Sequence, residues 1–330
     1  MGARDAIAKA LMGIKAYHSS PHTFDRFDLS KIGTGEGAQA YGHGLYFAEN
    51  PKVSGQGGQY WNQFMSRFPE GEREIAERLE AHGFNRNATA ETVQRQIDEL
   101  QRRLDPGGVF DKPHLADAQS RTKNYIAELS AERDRLLSGN PVGPRTYEVN
   151  IKADPAQMLD WDKPLREQQQ LLDALSGSRR KAVKETLERQ DYQAPTRVTY
   201  GTDIGPVTGQ DFYKALSYNM TGKPGSAQAS QAMQAGGVPA IKYLDEGSRG
   251  RAADIADVQR SIEKYKDNPY GIEGWQNKLE QLQQQPLTSN YVVFDPANVD
   301  ILKKYGVVGA PAGALTMGAL AGQDQYEAPP

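Results

Sequence analysis

The side chains best equipped for chemistry are concentrated in residues 16–61, AYHSSPHTFDRFDLSKIGTGEGAQAYGHGLYFAENPKVSGQGGQYW. His18 stands between a strand-like run and a turn. A neutral imidazole near physiological pH both donates and accepts hydrogen bonds, for instance with a sugar hydroxyl. Ser19 and Ser20 follow it and can hold a carboxamide with help from the backbone. Tyr46 and Tyr60 offer flat faces with polar tips, suited to a planar heteroaromatic ring. A loop with glycines at 33, 35, 37, 42 and 44 lies between, and glycine lets a ligand approach the backbone closely. A ligand with sugar hydroxyls, an amide and a planar ring fits this set. A satisfied histidine and two core tyrosines account for the same residues equally well.

Other chemistries fit less well. The run GTGEGA is superficially like the dinucleotide fingerprint GxGxxG, but no apolar strand precedes it and no βαβ pattern follows. No GK[ST] closes a phosphate loop. Ser19 and Ser20 adjoin His18, but neighbours on a strand point apart, which argues against a hydrolase triad. No pair of acidic residues stands out for glycosidase chemistry. His82 and His114 have no metal-ligand spacing and are expected at the surface. The absence of cysteine removes thiolate nucleophiles and cysteine-bound metals. With 39 basic and 42 acidic residues, no standing grip on nucleic acid or anionic membrane is expected.

Strands at both ends of the chain must position the chemistry. Residues 14–17 predict a strand leading into His18, with Phe24 and Phe27 packed beneath the cleft. TYEVNI, VPAIKYLDEG and above all SNYVVFD, with its β-branched and aromatic residues, predict others. Met158, Leu159 and Trp161 are expected to cover a core edge. Between the strands the period changes. Val93, Ile97, Leu100 and Leu104 form one helical stripe and Ile126, Leu129 and Leu136 a second, which predicts a helical hairpin. Leu172, Leu175, Val183 and Leu187 mark another helical stretch, and Pro269 with Gly271 a break between two more. Thr208 is expected to cap a helix that turns Phe212 and Leu216 inward. The expected fold is one α+β domain over 1–306, with helical insertions at about 67–140, 165–190 and 251–285, and a flexible tail at 307–330. The opening MGARDAIAKALMG lacks the apolar run of an export signal.

The order YHSS, YGHGLYFAEN, SNYVVFD resembles the ADP-ribosyltransferase superfamily, in its diphtheria-toxin and poly(ADP-ribose) polymerase-like branch. It looks in particular like members found in phage, prophage and bacterial polyvalent proteins. That branch has a histidine in H-G-[ST], a tyrosine in G-x-G-[IL]-Y-F-A and a variable position, often glutamate, before Y-[IV]-V-[YF]. The resemblance implies a split β-sheet core and NAD as co-substrate, without a metal. It implies that His18 holds the 2′-hydroxyl of the adenosine ribose. Ser20, with the backbone at Ser19, would hold the nicotinamide carboxamide, and Tyr46 and Tyr60 would enclose its ring. The loop from Gly33 through Gly35 to Gln39 would approach the phosphates. Nicotinamide would leave the ribose through a cation-like transition state, and an acceptor would attack.

The sequence departs from the family at two positions. Ser19 stands where the family has glycine, and Asn290 where it has the catalytic glutamate. Asparagine can bind a ribose hydroxyl but supplies neither negative charge nor a useful base. Chain elongation is therefore not expected. Transfer of a single ADP-ribose is, with a carboxylate borrowed from an acidic acceptor or supplied by Glu246, Asp295 or Asp300. The expected acceptor is a host macromolecule, first of all a protein. The expected setting is a cytoplasm, the cell's own or that of a host reached by a toxin, effector or phage enzyme. The alternatives are a catalytically weak NAD- or ADP-ribose-binding module and an NAD glycohydrolase. The insertions are expected to serve target recognition or self-inhibition, or simply to cap sheet edges.

Overall fold

The structure, a computed structural model, describes residues 13–32, 40–168, 207–223, 225–266 and 272–305, with 171, 177, 181, 185, 198–199 and 202–203. Gly33 and Gly35, most of the 165–190 stretch with Leu172, Leu175, Val183 and Leu187, Pro269 with Gly271, and the 307–330 tail lie outside the described residues. The fold is mixed α+β. Its residues group into two compact units, one from the stretches 1–19, 24–59 and 147–303, the other from 20–23, 60–146 and 304–330. The expected insertion at 67–140 thus supplies most of a unit of its own.

Seven strands form one sheet: β1 (Ile14–Ser20), β2 (Leu45–Ala48), β3 (Arg145–Ile151), β4 (Leu159–Asp160), β7 (Ala240–Leu244), β8 (Ser289–Val293) and β9 (Val299–Tyr305). Their order is β4-β7-β8-β2-β1-β3-β9, and β5 (Val198–Thr199) and β6 (Thr202–Asp203) make a separate ribbon. β2 runs antiparallel to β8, with Tyr46 opposite Val292 and Ala48 opposite Asn290. Antiparallel β7 places Tyr243 opposite Asn290 and Ile241 opposite Val292. Because side chains alternate along a strand, each face collects its own core. Ile241, Tyr243 and Val292 pack with Phe212, Leu216 and Met233 on one face. Leu45, Phe47, Tyr291 and Val293 pack with Ala16, Tyr147 and Val149 on the other.

Two helices cover the first face, α6 (Gly209–Thr221) and α7 (Ala227–Ala235). Thr208 and Asp211 close a capping box at the start of α6, and Gly222 ends it in the left-handed region at φ 69°. Ser226 accepts a hydrogen bond from the Ala229 amide to start α7. After β7 come α8 (Glu246–Lys264) and α9 (Ile272–Gln283). The first of these ends at Lys264 and the second starts at Ile272; the break expected at Pro269 and Gly271 lies outside the described residues. Met158, Leu159 and Trp161 are buried as expected, with Leu159 on the edge strand parallel to β7.

In the second unit, α2 (Gln59–Met65), α3 (Glu70–Ala81), α4 (Arg86–Leu104) and α5 (Ala116–Leu137) follow in order. The two predicted stripes meet, burying Val93, Ile97, Leu129 and Leu136 around Trp61. The Trp61 indole donates to the Pro144 carbonyl at 3.0 Å, so this large ring is buried without leaving its N–H unpaired. His82 and His114 are exposed, as expected.

Gly44 is needed because β2 closes on β8. A Cβ there would lie 2.7 Å from Val292 Cγ1 and 2.8 Å from the Val293 carbonyl oxygen. Gly44→Ala is therefore expected to cost about 1–3 kcal/mol, read as a lower urea midpoint. An unchanged midpoint would show that the strands part freely at this position.

Candidate active site

β1 pairs antiparallel with β2, Tyr17 opposite Ala48, which puts His18 opposite Phe47. The imidazole lies among Phe27, Phe47, Phe24 and Tyr147, with ring centroids 5.2, 5.8, 6.3 and 6.5 Å away. Phe24 in turn stacks on Tyr147 at 4.1 Å, so both predicted phenylalanines do pack under His18. His18 Nδ1 is 2.9 Å from the Tyr46 carbonyl oxygen. A carbonyl only accepts, so Nδ1 carries the proton and Nε2 of the neutral ring keeps its lone pair for a ligand hydroxyl.

Burial pushes the His18 pKa below its ordinary 6.5, and the bond to Tyr46 offsets only part of this. The unfolded chain therefore binds more protons than the native one below that value. Stability should fall as the pH drops below 6.5 and level off once the folded pKa is passed. His18→Gln should flatten this part of the pH dependence of urea unfolding. A variant with the wild-type slope would show that His18 contributes nothing to it.

Ser19, next on β1, is tied to Ser54 of the short helix α1 (Pro51–Ser54). Asn50 caps α1 by accepting from the Lys52 amide, and Pro51 opens it, a favourable first turn. The Ser19 amide donates to Ser54 Oγ at 2.9 Å, and Ser19 Oγ donates to the Ser54 carbonyl at 2.9 Å. Both serines are buried. Donors and acceptors brought together in this way match the two ends of a carboxamide. Ser54 escaped sequence reasoning because its partner is 35 positions away; the Asn-Pro start of a turn after β2 was the available signal.

Tyr46 and Asn290 share a face of the sheet, diagonal across β2 and β8. By register His18 falls on the other face, reaching Tyr46 through its backbone. The Tyr46 hydroxyl donates to the Gly42 carbonyl at 2.7 Å and receives the Tyr41 amide at 3.2 Å. Gly42 has φ 117°, a conformation that favours glycine. Tyr41 stacks on Tyr243 at 3.8 Å, directly beside Asn290 in the sheet. Arg249 donates to the Tyr41 hydroxyl at 2.8 Å and pairs with Asp162 at 3.1 Å. Burial opposes the Arg249 charge, but these two partners outweigh it and raise its pKa. Asn290 Oδ1 is buried and has no hydrogen-bond partner among the described residues. Such an atom costs about 1–3 kcal/mol and is satisfied when a donor arrives.

The remaining candidates are dispersed. Ser20 and Tyr60 belong to the second unit; Ser20 is buried and its Oγ accepts from the His22 amide at 3.1 Å, while Tyr60 is exposed near the start of α2. Glu246 is exposed in the first turn of α8. Asp295 lies just past β8, where its carboxylate accepts from Ala297 N at 2.9 Å and Gln234 Nε2 at 3.0 Å. Asp300 is on β9, paired with Lys152 at 2.9 Å. Two other carboxylates lie close to Asn290: Glu49 bonds Ser289 of its strand, and Asp245 bonds Thr288 just before that strand. Among the described residues, no group of three His, Cys, Asp or Glu could hold a metal ion. No described helix is long and apolar enough to cross a membrane. No protein-family model matches this chain, and neither does any curated protein or solved structure.

Proposed function

We propose that the chain is an NAD-dependent mono-ADP-ribosyltransferase of that superfamily, with its site on the seven-stranded sheet. The observation that carries the reading is that β1, β2 and β8, the strands of the three sequence segments, are consecutive neighbours in the sheet. His18, Tyr46 and Asn290 therefore stand on adjoining strands although they span 272 positions of sequence from first to last. A neutral His18 with a free Nε2, a Ser19–Ser54 pair matched to an amide, and an unsatisfied Asn290 Oδ1 each suit a part of NAD. In this reading the nicotinamide amide replaces the Ser19–Ser54 bonds, so Ser54 takes the part first given to Ser20. Tyr46 borders the ring, and a ribose hydroxyl donates to Asn290.

The bond between nicotinamide nitrogen and ribose C1″ then breaks. Its electron pair goes to the ring, which leaves neutral, and a nucleophile on the acceptor bonds to C1″ as it loses its proton. The acceptor is a host macromolecule, first of all a protein, met in a cytoplasm. A second reading, a module that binds NAD or ADP-ribose without turnover, is favoured by the uncharged Asn290 and by the closed Ser19–Ser54 pair. NAD labelled in its adenylate half separates the possibilities when incubated with the protein and host lysate. Label in macromolecules supports transfer, and free labelled ADP-ribose alone supports a glycohydrolase. Bound but intact NAD would leave only the binding module.

A further inference from the structure

The transferase reading leaves one chemical gap: a cation-like ribose forms beside an asparagine that carries no charge. Among the described residues, the Glu49 carboxylate touches the residues flanking Asn290 and the Asp245 carboxylate touches Thr288, two positions before it. Asp245 accepts from Ser248 N at 2.8 Å with one oxygen and from the Thr288 hydroxyl with the other. It is buried and caps α8, so both its oxygens are committed to the fold. Glu49 is different. Its Oε2 accepts from Ser289 N at 2.9 Å and from the Tyr291 hydroxyl at 3.4 Å, the residues on either side of Asn290. Its own amide donates to the Ser289 carbonyl at 2.9 Å. Both bonds use one oxygen, and Oε1 is not engaged by any described residue.

Glu49 lies just past the end of β2. It follows Ala48, which is opposite Asn290, and its contact with the hydroxyl of Tyr291, a residue of the Phe47 cluster, puts its carboxylate on the His18 face. There it stands two residues beyond Phe47, the residue opposite His18. Standard backbone dimensions keep its Oε2 within about 8 Å of the Asn290 Cα. Burial and then the Glu49 charge push the Tyr291 pKa far up, so the tyrosine stays a donor and the field of the carboxylate is felt on β8.

Resting on the transferase reading, we propose that Glu49 is the carboxylate of the site, supplying through space the negative charge that Asn290 lacks. It stabilises the positive charge that develops on the ribose as nicotinamide leaves, and forms no bond to it. Glutamine at this position keeps an oxygen for Ser289 and Tyr291 and removes only the charge.

The test compares nicotinamide release from NAD by the full chain as wild type, Glu49→Gln, Asn290→Glu and the double variant. Glu49→Gln is expected to lower kcat by about tenfold, the scale of one charge at about 12 Å (about 8 Å to the Asn290 Cα plus the reach of its side chain) and an effective dielectric constant of about 20. KM and melting temperature should not move, and the double variant should regain the lost rate. Wild-type kcat in Glu49→Gln would overturn the assignment. So would a loss that Asn290→Glu fails to restore, since that would make Glu49 a purely structural clamp. No release by wild type or Asn290→Glu would instead overturn the transferase reading itself, and the role of Glu49 with it.

Discussion

Replacement of His18 by glutamine is expected to lower nicotinamide release by about 100-fold or more while the chain stays folded. The imidazole does two things at once. Its Nδ1 proton fixes the ring against the Tyr46 carbonyl at 2.9 Å, and that bond reserves Nε2 as an acceptor. A glutamine amide can still donate to the carbonyl, so the strand pairing survives, but it presents no acceptor at the position of Nε2. The ribose then loses its anchor, and a misplaced C1″ reacts slowly even when NAD is bound. Turnover and thermal unfolding measured on the same preparation separate this from a folding defect. Normal melting with lost turnover is expected. Normal melting with wild-type turnover would remove His18 from the site and leave it a core histidine among Phe24, Phe27, Phe47 and Tyr147.

The largest effect on stability is expected from Phe212→Ala. Phe212 is 0% exposed and lies in the cluster that joins α6 to Ile241 and Val292. Removing a fully buried phenyl ring loses its transfer free energy and leaves a cavity, together about 3–5 kcal/mol. Because Tyr46 packs against the same cluster, NAD binding should weaken in parallel. The control is Leu137→Ala, at a side chain 59% exposed, expected to change stability by no more than about 0.5 kcal/mol. Urea midpoints for both variants check the contrast, and equal losses would contradict the described core.

Much of the framework was legible because period and cap chemistry are local. SNYVVFD became β8, Val93 and Ile97 met Leu129 and Leu136, and Thr208 capped α6. The adjacency of β1, β2 and β8 was implied by the three segments but not by spacing, because sheet neighbours are chosen by long-range pairing. The site was read less completely for the same reason. Ser54 and Glu49 acquire meaning only through Ser19 and β8, and no periodicity reports partners 35 and 240 positions away. The side chain of His18 was expected in one cleft with Tyr46 and Asn290. The register puts it on the other face of the sheet, because Tyr17, not His18, is in phase with Ala48. By sequence, Asp295 and Asp300 are candidate carboxylates near Asn290. A cap at Ala297 and an ion pair with Lys152 occupy them instead.

The central claim is that this chain cleaves the bond between nicotinamide and ribose. The most direct measurement is the time course of nicotinamide release from NAD by the purified wild-type chain, with His18→Gln alongside. Release that scales with protein concentration and falls in the variant is the predicted result. A folded wild-type protein that binds NAD, with and without host lysate, and releases no nicotinamide would contradict it.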